Sequence, residues 1–329
     1  MTRRIGLVYE TIEDAEKTGK NLSLLKHWRE PGELEQIREA VEKAGYQTRL
    51  IGSPSALLEN MGAIRKEIDF IFNLSVGFIT RYRLGIAPAL YSLTGIPYSG
   101  ADPFTKIVTQ NKHILKSFWD KTGIPTPEWA YFENPAGIES TPIPEFPLIV
   151  KPAHEGTSIG IAEDSVVNSM AELRKRVGAL FDTLRMPVIA ERFIAGQEIK
   201  VGMIGDNEIV FEGMAENLTP GGKAIGDGFL HFDLKSGNNG AFGLVERNSL
   251  KWSNIIEDCR KIYRSFLPVD FGTFDIRIDG NGNYYFLEFN TDATLHPGRT
   301  MARVCGLNGL DYDSMIGKIL AVSFARWGL

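Results

Sequence analysis

An α/β fold divided among two or three compact domains is what the sequence predicts. Three observations carry that expectation. The 329 residues exceed what one hydrophobic core normally serves. The chain opens in the order strand, helix, strand, and short apolar runs separated by helical stretches continue beyond that opening.

Composition narrows the class before any motif is read. With 43% hydrophobic and 23% charged residues and a mean hydropathy of -0.11, the chain has enough apolar surface to pack and no tract of disordered character. A formal net charge of -5 supplies no general basic field, so neither nucleic acid nor an acidic membrane surface is an expected partner. The start, MTRRIGLVYE, reaches Glu10 after a short apolar run, and nowhere do about 18 apolar residues follow one another. The two cysteines, Cys259 and Cys305, stand in unrelated contexts and suggest neither a disulfide framework nor a zinc site. A reducing cytoplasm is the expected compartment.

Ile5–Tyr9 is apolar in the manner of a buried parallel strand, Leu34–Ala44 has helical periodicity, and Tyr46–Ile51 supplies the next strand. Phe70–Leu74 ends on polar and glycine residues. Open parallel sheets carry ligand groups at the carboxyl ends of their strands, which makes Asn73 a candidate substrate residue. Ala87–Leu93 reads as helix, GIPYSGADP as a turn, and Thr109–Thr122 as one helix carrying Lys112 and Lys116 about a turn apart. After the break at GIPTPEW come strands at Ala130–Phe132, Pro147–Lys151 and Ser158–Ala162, a helix at Ser169–Leu180 and a strand at Val188–Phe193. Domain boundaries fall near 101 and 187, giving segments 1–100, 101–186 and 187–329. The last segment opens on a strand pair, Glu198–Ile204 and Glu208–Met214, joined at GDN. A glycine-rich stretch, AENLTPGGKAIGDGFLHFDLKSGNNGAFG, is too weakly patterned for core and has the length of a functional lid. Thr273–Asp279 and Tyr284–Asn290 then alternate strictly around GNGN, ahead of a C-terminal helix.

Two constellations carry chemistry. In PLIVKPAHEGTSIG a strand delivers Lys151 into a loop of small residues, whose backbone N–H groups can approach a phosphate without a side chain in the way. A plain hairpin with an exposed lysine has the same pattern. Neither the Walker loop nor the GxGxxG fingerprint is present. In FDIRID and YYFLEFN, period-two alternation puts Thr273, Asp275 and Arg277 on one face and Phe286, Glu288 and Asn290 on one face of the partner. If the faces coincide, two carboxylates and an amide converge as hard oxygen ligands for Mg2+; otherwise the hairpin face is simply solvated.

The order NLSVG, GIPYSGADP, NKHILK, GIPTPEW, PLIVKPAHEGTSIG, ERFIAGQE, DIRID and FLEFN resembles the ATP-grasp superfamily, and within it the D-alanine–D-alanine ligases and their relatives. The resemblance runs from Ile5 to the C-terminal helix. It implies an α/β, three-domain ATP-grasp fold: an N-terminal parallel-sheet substrate domain over 1–100, a small central domain over 101–186, and a C-terminal domain with metal hairpin and mobile loop over 187–329. It implies ATP between the last two domains, Mg2+ or Mn2+ on the hairpin, and an acyl phosphate attacked by an amine. A cytoplasmic homodimer acting on small amino-acid-like substrates is implied as well.

Carried over by position, Lys112 and Lys151 contact ATP phosphates, with Lys151 also near adenine. Glu191, Phe193 and Ile194 hold adenine and Glu198 the ribose. Asp275, Glu288 and Asn290 bind the metal. Glu155, Thr157 and Ser158 form a phosphate loop that also faces substrate, and Lys235 of FDLKSG meets the γ-phosphate from the mobile loop.

The departures concern the other substrate. The family's glycine-serine-rich first loop, with its ammonium-binding glutamate, is replaced by VYETIEDAEKTGKN, and its HGxxGEDG segment by SVGFITRYRLG. The arginine two residues before the metal aspartate, which steadies the developing oxyanion, is Thr273. The loop normally near SPGMT reads TDATLHPGRT, which adds His296 and Arg299 as candidate substrate residues. Arg277, on the strand face of Thr273, or Arg299 is a candidate substitute charge; a surface salt bridge is the other reading of Arg277. These changes predict a substrate other than D-alanine, as in the related enzymes that extend mycosporine-glycine through an enol phosphate. A true D-alanine–D-alanine ligase and a non-catalytic nucleotide-binding module are the alternatives.

Overall fold

A computed structural model describes residues 2–19, 29–78, 80–156, 159–219, 222–223, 225–226, 228, 241–245 and 250–329. The N-terminal part contains β1 (Arg4–Val8), α1 (Ile12–Glu16), α2 (Pro31–Lys43), β2 (Gln47–Gly52), α3 (Pro54–Glu59), α4 (Met61–Ile64), β3 (Phe70–Asn73) and α5 (Arg83–Thr94). Its sheet is parallel, in the order β2–β1–β3. Helix α2 begins earlier than its apolar pattern suggested because Pro31 occupies the first turn, where a missing N–H costs nothing. It buries the stripe Leu34, Ile37, Ala40 and Val41.

The expected single helix over 109–122 is two helices, α6 (Pro103–Gln110) and α7 (Lys112–Thr122). Asn111 between them is extended at φ -90°, and its side-chain amide donates to the carbonyls of Arg81 and Ile107. The break frees Lys112 N–H to donate to Ala153 O at 2.9 Å, which ties α7 to the end of the next strand but one. The second sheet is antiparallel. It contains β4 (Trp129–Phe132), β5 (Leu148–Pro152), β6 (Val166–Val167) and, after α8 (Met170–Leu184), β7 (Val188–Arg192), in the order β4–β7–β5–β6. The strand expected at 158–162 is not formed at Ile159 and Gly160, which make a turn; Gly160 has φ +73°, and a Cβ there would lie 2.8 Å from Pro152 Cγ. β5 pairs with β6 instead. Because β7 lies inside this sheet, the sheet extends past the boundary expected at 187.

The third sheet is also antiparallel, in the order β10–β9–β8–β11–β12. Its strands are β8 (Gln197–Gly205), β9 (Ile209–Leu218), β10 (Ala241–Leu244), β11 (Asp270–Ile278) and β12 (Tyr284–Asn290). Among its described residues, the glycine-rich stretch supplies the end of β9 and a further strand, β10, paired with it. Helix α9 (Leu250–Ser265) was not anticipated, and the C-terminal helix is two, α10 (Thr300–Leu307) and α11 (Tyr312–Arg326). One face of this sheet packs Val201, Phe274, Ile276, Phe286 and Phe289 against Leu115 and Trp119 of α7 and Ile255, Cys259 and Ile262 of α9. Met301 and Cys305 of α10 and Ile316, Ile319 and Phe324 of α11 instead share a core with Ile5, Leu7, Ile37 and Phe70. The end of the chain therefore mortars the first sheet to the third.

Asp270 fixes that junction. Fully buried, it accepts from Gly100 N–H at 2.7 Å, Ser323 Oγ at 2.6 Å and Arg326 Nε at 2.8 Å, while Arg326 also donates to the carbonyls of Tyr98 and Gly100. Removing one member of a buried ion pair strands the other, at a cost of about 3–5 kcal/mol. Asp270→Ala is expected to lower unfolding free energy by about that amount in urea denaturation, and Arg326→Met by a comparable amount.

Candidate active site

The site begins with an irregularity in β12. Strand β11 pairs Thr273 with Asn290, Phe274 with Phe289 and Asp275 with Glu288, but Ile276 with Phe286, so Leu287 is an extra residue. The bulge keeps Thr273, Asp275, Glu288 and Asn290 on one face while sending Phe286 to the other, where it packs on Phe274. Phe286 is therefore not on the ligand face as expected. A bulge shifts the two-residue period by one, and strict alternation takes no account of it. The face that results, two carboxylates and an amide, is a hard-oxygen set of the kind that suits Mg2+. Among the described residues no group of three or more His, Cys, Asp or Glu side chains is arranged to hold a metal.

This face forms one wall of a cleft of about 440 Å³ between the second and third sheets. Lys151 on β5 and Lys112 at the start of α7 line it. Lys112 Nζ donates to Glu155 O at 2.5 Å and lies 3.4 Å from Glu288 Oε1, bringing the loop after β5 against the oxygen face. Both lysines are buried, yet each needs only the cleft side open to meet an anion. At the far end, Glu191 on β7 is fully buried between Lys151 at 2.9 Å and Lys116 at 3.3 Å. Burial works against the Lys151 charge, but Glu191, Glu288 and Asp275 outweigh it and raise its pKa. Lys116, wholly enclosed, is pulled by burial down to about 8 despite Glu191. Phe193 and Ile194 line the same end. Glu198 on β8 accepts from Asn217 Nδ2 at 2.9 Å and pairs with Lys200 at 2.9 Å and Arg277 at 3.3 Å.

The opposite mouth is formed by Arg83 from the first turn of α5, Glu155, Asp292, Arg299 and Arg303. Arg83 is buried, donates to Val76 O and lies 3.4 Å from Glu155.

More than half of the chain, residues 118–321, matches the family model described as the D-ala D-ala ligase C-terminus. The chain belongs to the D-alanine–D-alanine ligase family. It is an ATP-dependent C–N ligase of the ATP-grasp fold. An uncharacterised protein of Sinorhizobium fredii is 25% identical to it over 91% of this chain and 90% of its own length. The D-alanine–D-alanine ligase of Chromohalobacter salexigens is 28% identical over 69% of each. The fold is shared with the Bacillus anthracis D-alanine–D-alanine ligase complexed with ATP, at a TM-score of 0.73, 18% identity and coverage of 99% and 98% of the two chains. It is shared also with the VanG D-Ala:D-Ser ligase of Enterococcus faecalis, at a TM-score of 0.69, 17% identity and coverage of 98% and 100%.

Within this ligase fold, the structure collects Lys112, Lys151, Glu155, Glu191, Phe193, Ile194, Glu198, Asp275, Arg277, Glu288, Asn290 and Arg299 around one cleft. Thr157, Ser158 and Lys235 lie outside the described residues. Asn73 is not among the residues of this cleft. It borders a separate small cavity, and its Oδ1 is taken by Tyr91 Oη and Ser75 N–H. His296 also lies off the described lining; its Nδ1 accepts Gly298 N–H at 2.9 Å and shapes the turn before α10. Arg277 faces the cleft, but its guanidinium donates to the carbonyls of Gly196, Gly226 and Gly228, stands over the Phe193 ring and pairs with Glu198. Those bonds make it a strut of the Phe193 end of the cleft. Glu10, at the end of β1, is buried and accepts from Ser75 Oγ, Val76 N–H and Gly77 N–H. Burial raises its pKa against these hydrogen bonds.

The sequence reading missed Lys200, Arg83 and Asn217. Lys200 had a signal, since it stands two residues from Glu198 and so on the same strand face. Asn217 stands directly across the β8–β9 hairpin from Glu198, whereas Arg83 reaches the site only through the packing of a distant element.

Glu191→Ala would leave Lys151 and Lys116 in a dry site without their carboxylate, and urea denaturation should register a loss of about 3–5 kcal/mol. Acid should act through His154, whose imidazole burial holds down to about 4, against the pull of Glu155. Its neutral form is the one the fold accommodates. Stability is therefore full above about 6.5 and falls as pH drops toward 4, with a slope of at most about 1.4 kcal/mol per unit for this one group. Urea midpoints between pH 7 and 4 should flatten in His154→Asn.

Proposed function

We propose that this ligase phosphorylates an oxygen of one substrate at the expense of ATP, giving an acyl or enol phosphate, and joins that substrate carbon to the amine of an amino acid. The observation that carries the reading is the facing of Lys112 and Lys151 against Asp275, Glu288 and Asn290 across a single cleft. Cations on one wall suit a triphosphate, and hard oxygens on the other suit the Mg2+ that accompanies it. Mn2+ would suit the same oxygens.

In this reading Phe193 and Ile194 take adenine beside Glu191, and Glu198 takes the ribose. Lys112 and Lys151 hold the phosphates. Glu288 and Asn290, with Asp275 beside them, would hold Mg2+, which would supply charge neutralisation for the phosphates. The Pγ–O bond to ADP breaks as one to the substrate oxygen forms; the amine then forms the C–N bond, and phosphate leaves with that oxygen. Ser158, Thr157 and Lys235 carry their motif roles near the γ-phosphate. The three-part division into substrate, central and C-terminal nucleotide domains, a cytoplasmic location and a homodimer belong to the same proposal. Both cysteines are buried and unpaired, as in a reducing compartment. Tyr82, Ile86 and Leu93 expose an apolar patch beside α5 to which a second copy is suited.

The activated substrate is not D-alanine in this proposal. The first-loop acid, Glu10, is already committed to three donors, the mouth carries Arg83, and Thr273 offers a neutral hydroxyl where the family has an arginine. Losing a donor aimed at transition-state charge typically costs about 100–1,000-fold in rate. A substrate activated at an enol oxygen, as in the assembly of mycosporine-like amino acids in specialised biosynthesis, places less demand on that donor.

A screen of ADP release over amino acids and small carboxylates with Mg2+ should find a productive pair while D-alanine alone gives little. Robust D-alanine turnover would return the chain to cell-wall synthesis. Glu288→Gln is expected to lower kcat by about 100-fold or more, and an unchanged kcat would remove the metal assignment.

A further inference from the structure

The cleft contains a cation that the ligase reading leaves without a task. Lys200 on β8 pairs directly across the sheet with Asp275 of β11, and Glu198 pairs with Arg277 two residues along. Alternation therefore aims all four side chains at the cleft. Lys200 Nζ lies 2.6 Å from Asp275 Oδ2 and 2.9 Å from Glu198 Oε1, and its side chain is 4% exposed. With Arg277 at 3.3 Å from Glu198 Oε2, two carboxylates meet two cations in one run of ion pairs. Cross-strand partners hold their Cβ atoms about 5 Å apart, so the backbone itself keeps the ammonium within reach of Asp275.

A carboxylate whose charge is already compensated by a fixed ammonium is a weak ligand for a divalent ion, and an ion placed on it would stand beside a like charge. Glu288 stands directly across the hairpin from Asp275 and Asn290 across from Thr273, all on the same face, with Glu288 3.4 Å from Lys112. We propose that Lys200 is a built-in cation of the metal face: it holds Asp275, so that nucleotide binds with a single divalent ion seated on Glu288 and Asn290. Asp275 then acts through Lys200 rather than as a metal ligand. Lys200 is a positioning residue in this arrangement, adding a positive charge that cannot dissociate to the wall where the phosphates lie. The inference rests on the ligase reading of the cleft and assigns its charges.

The test counts ions rather than turnover. The full chain is saturated with a non-hydrolysable ATP analogue, and bound Mn2+ is counted from the electron paramagnetic resonance of the free ion. One ion per chain is expected for the parent and for Asp275→Asn and Lys200→Arg, whereas Lys200→Met, which releases Asp275, should take two. Two ions on the parent, any ion lost in Asp275→Asn, or a single ion in a folded Lys200→Met overturns the proposal. If Lys200→Met does not fold, the parent and Asp275→Asn counts decide alone. A chain that binds no analogue overturns the ligase reading and this inference together, whereas a wrong count with analogue bound overturns only the inference.

Discussion

Burying carboxylates against cations is the constraint on which the cleft depends. Glu191 has no exposed surface and Glu198 almost none, and a carboxylate in such a place is tolerated only with its charge answered nearby. Lys116 and Lys151 answer the first, Lys200 and Arg277 the second, and Arg83 does the same for Glu155 at the mouth. The strands make this economical. On β8, Ile199, Val201 and Met203 go to the core while Glu198 and Lys200 go to the cleft, so one alternating run supplies both hydrophobic anchorage and charge. The packed face fixes the strands, and the fixed strands hold the charges at ion-pair distance.

The rest of the molecule sets what reaches that charged wall. Asp270 and Arg326 lock the turn after α5 to the start of β11, while α10 and α11 share a core with the N-terminal sheet. The mouth of the cleft is consequently made by pieces far apart in sequence: Arg83 from α5, Glu155 after β5, and Arg299 and Arg303 at α10. In the proposed reading, nucleotide chemistry falls to the two antiparallel sheets, and substrate chemistry to the N-terminal sheet and the 291–303 segment. That separation lets the first stay family-like while the second departs from it.

Much of the strand framework that carries Lys151, Asp275 and Glu288 was legible because it is local. The run PLIVKP becomes β5 with Lys151 near its end, and FDIRID and FLEFN become paired strands with Asp275 opposite Glu288. Where the reading failed, a non-local contact had overruled a local pattern. Asn111 breaks a continuous helical pattern because its amide caps carbonyls on two other turns, and the bulge at Leu287 satisfies both a core that wants Phe286 and a cleft that wants Glu288. Asn73 stands at the end of its strand as expected, but Tyr91 and Ser75 use its amide oxygen. Lys200 was overlooked because its significance appears only when Asp275 is placed across from it, and register is not written in either strand alone.

The central claim is that one cleft between the two antiparallel sheets holds a Mg2+-nucleotide. A crystal structure of the chain with Mg2+ and a non-hydrolysable ATP analogue tests it most directly. The account predicts the triphosphate within ion-pair distance of Lys112 and Lys151, with the adenine against Phe193 and Ile194. Nucleotide bound anywhere else on the chain, or a cleft that stays empty at saturating analogue, would contradict it.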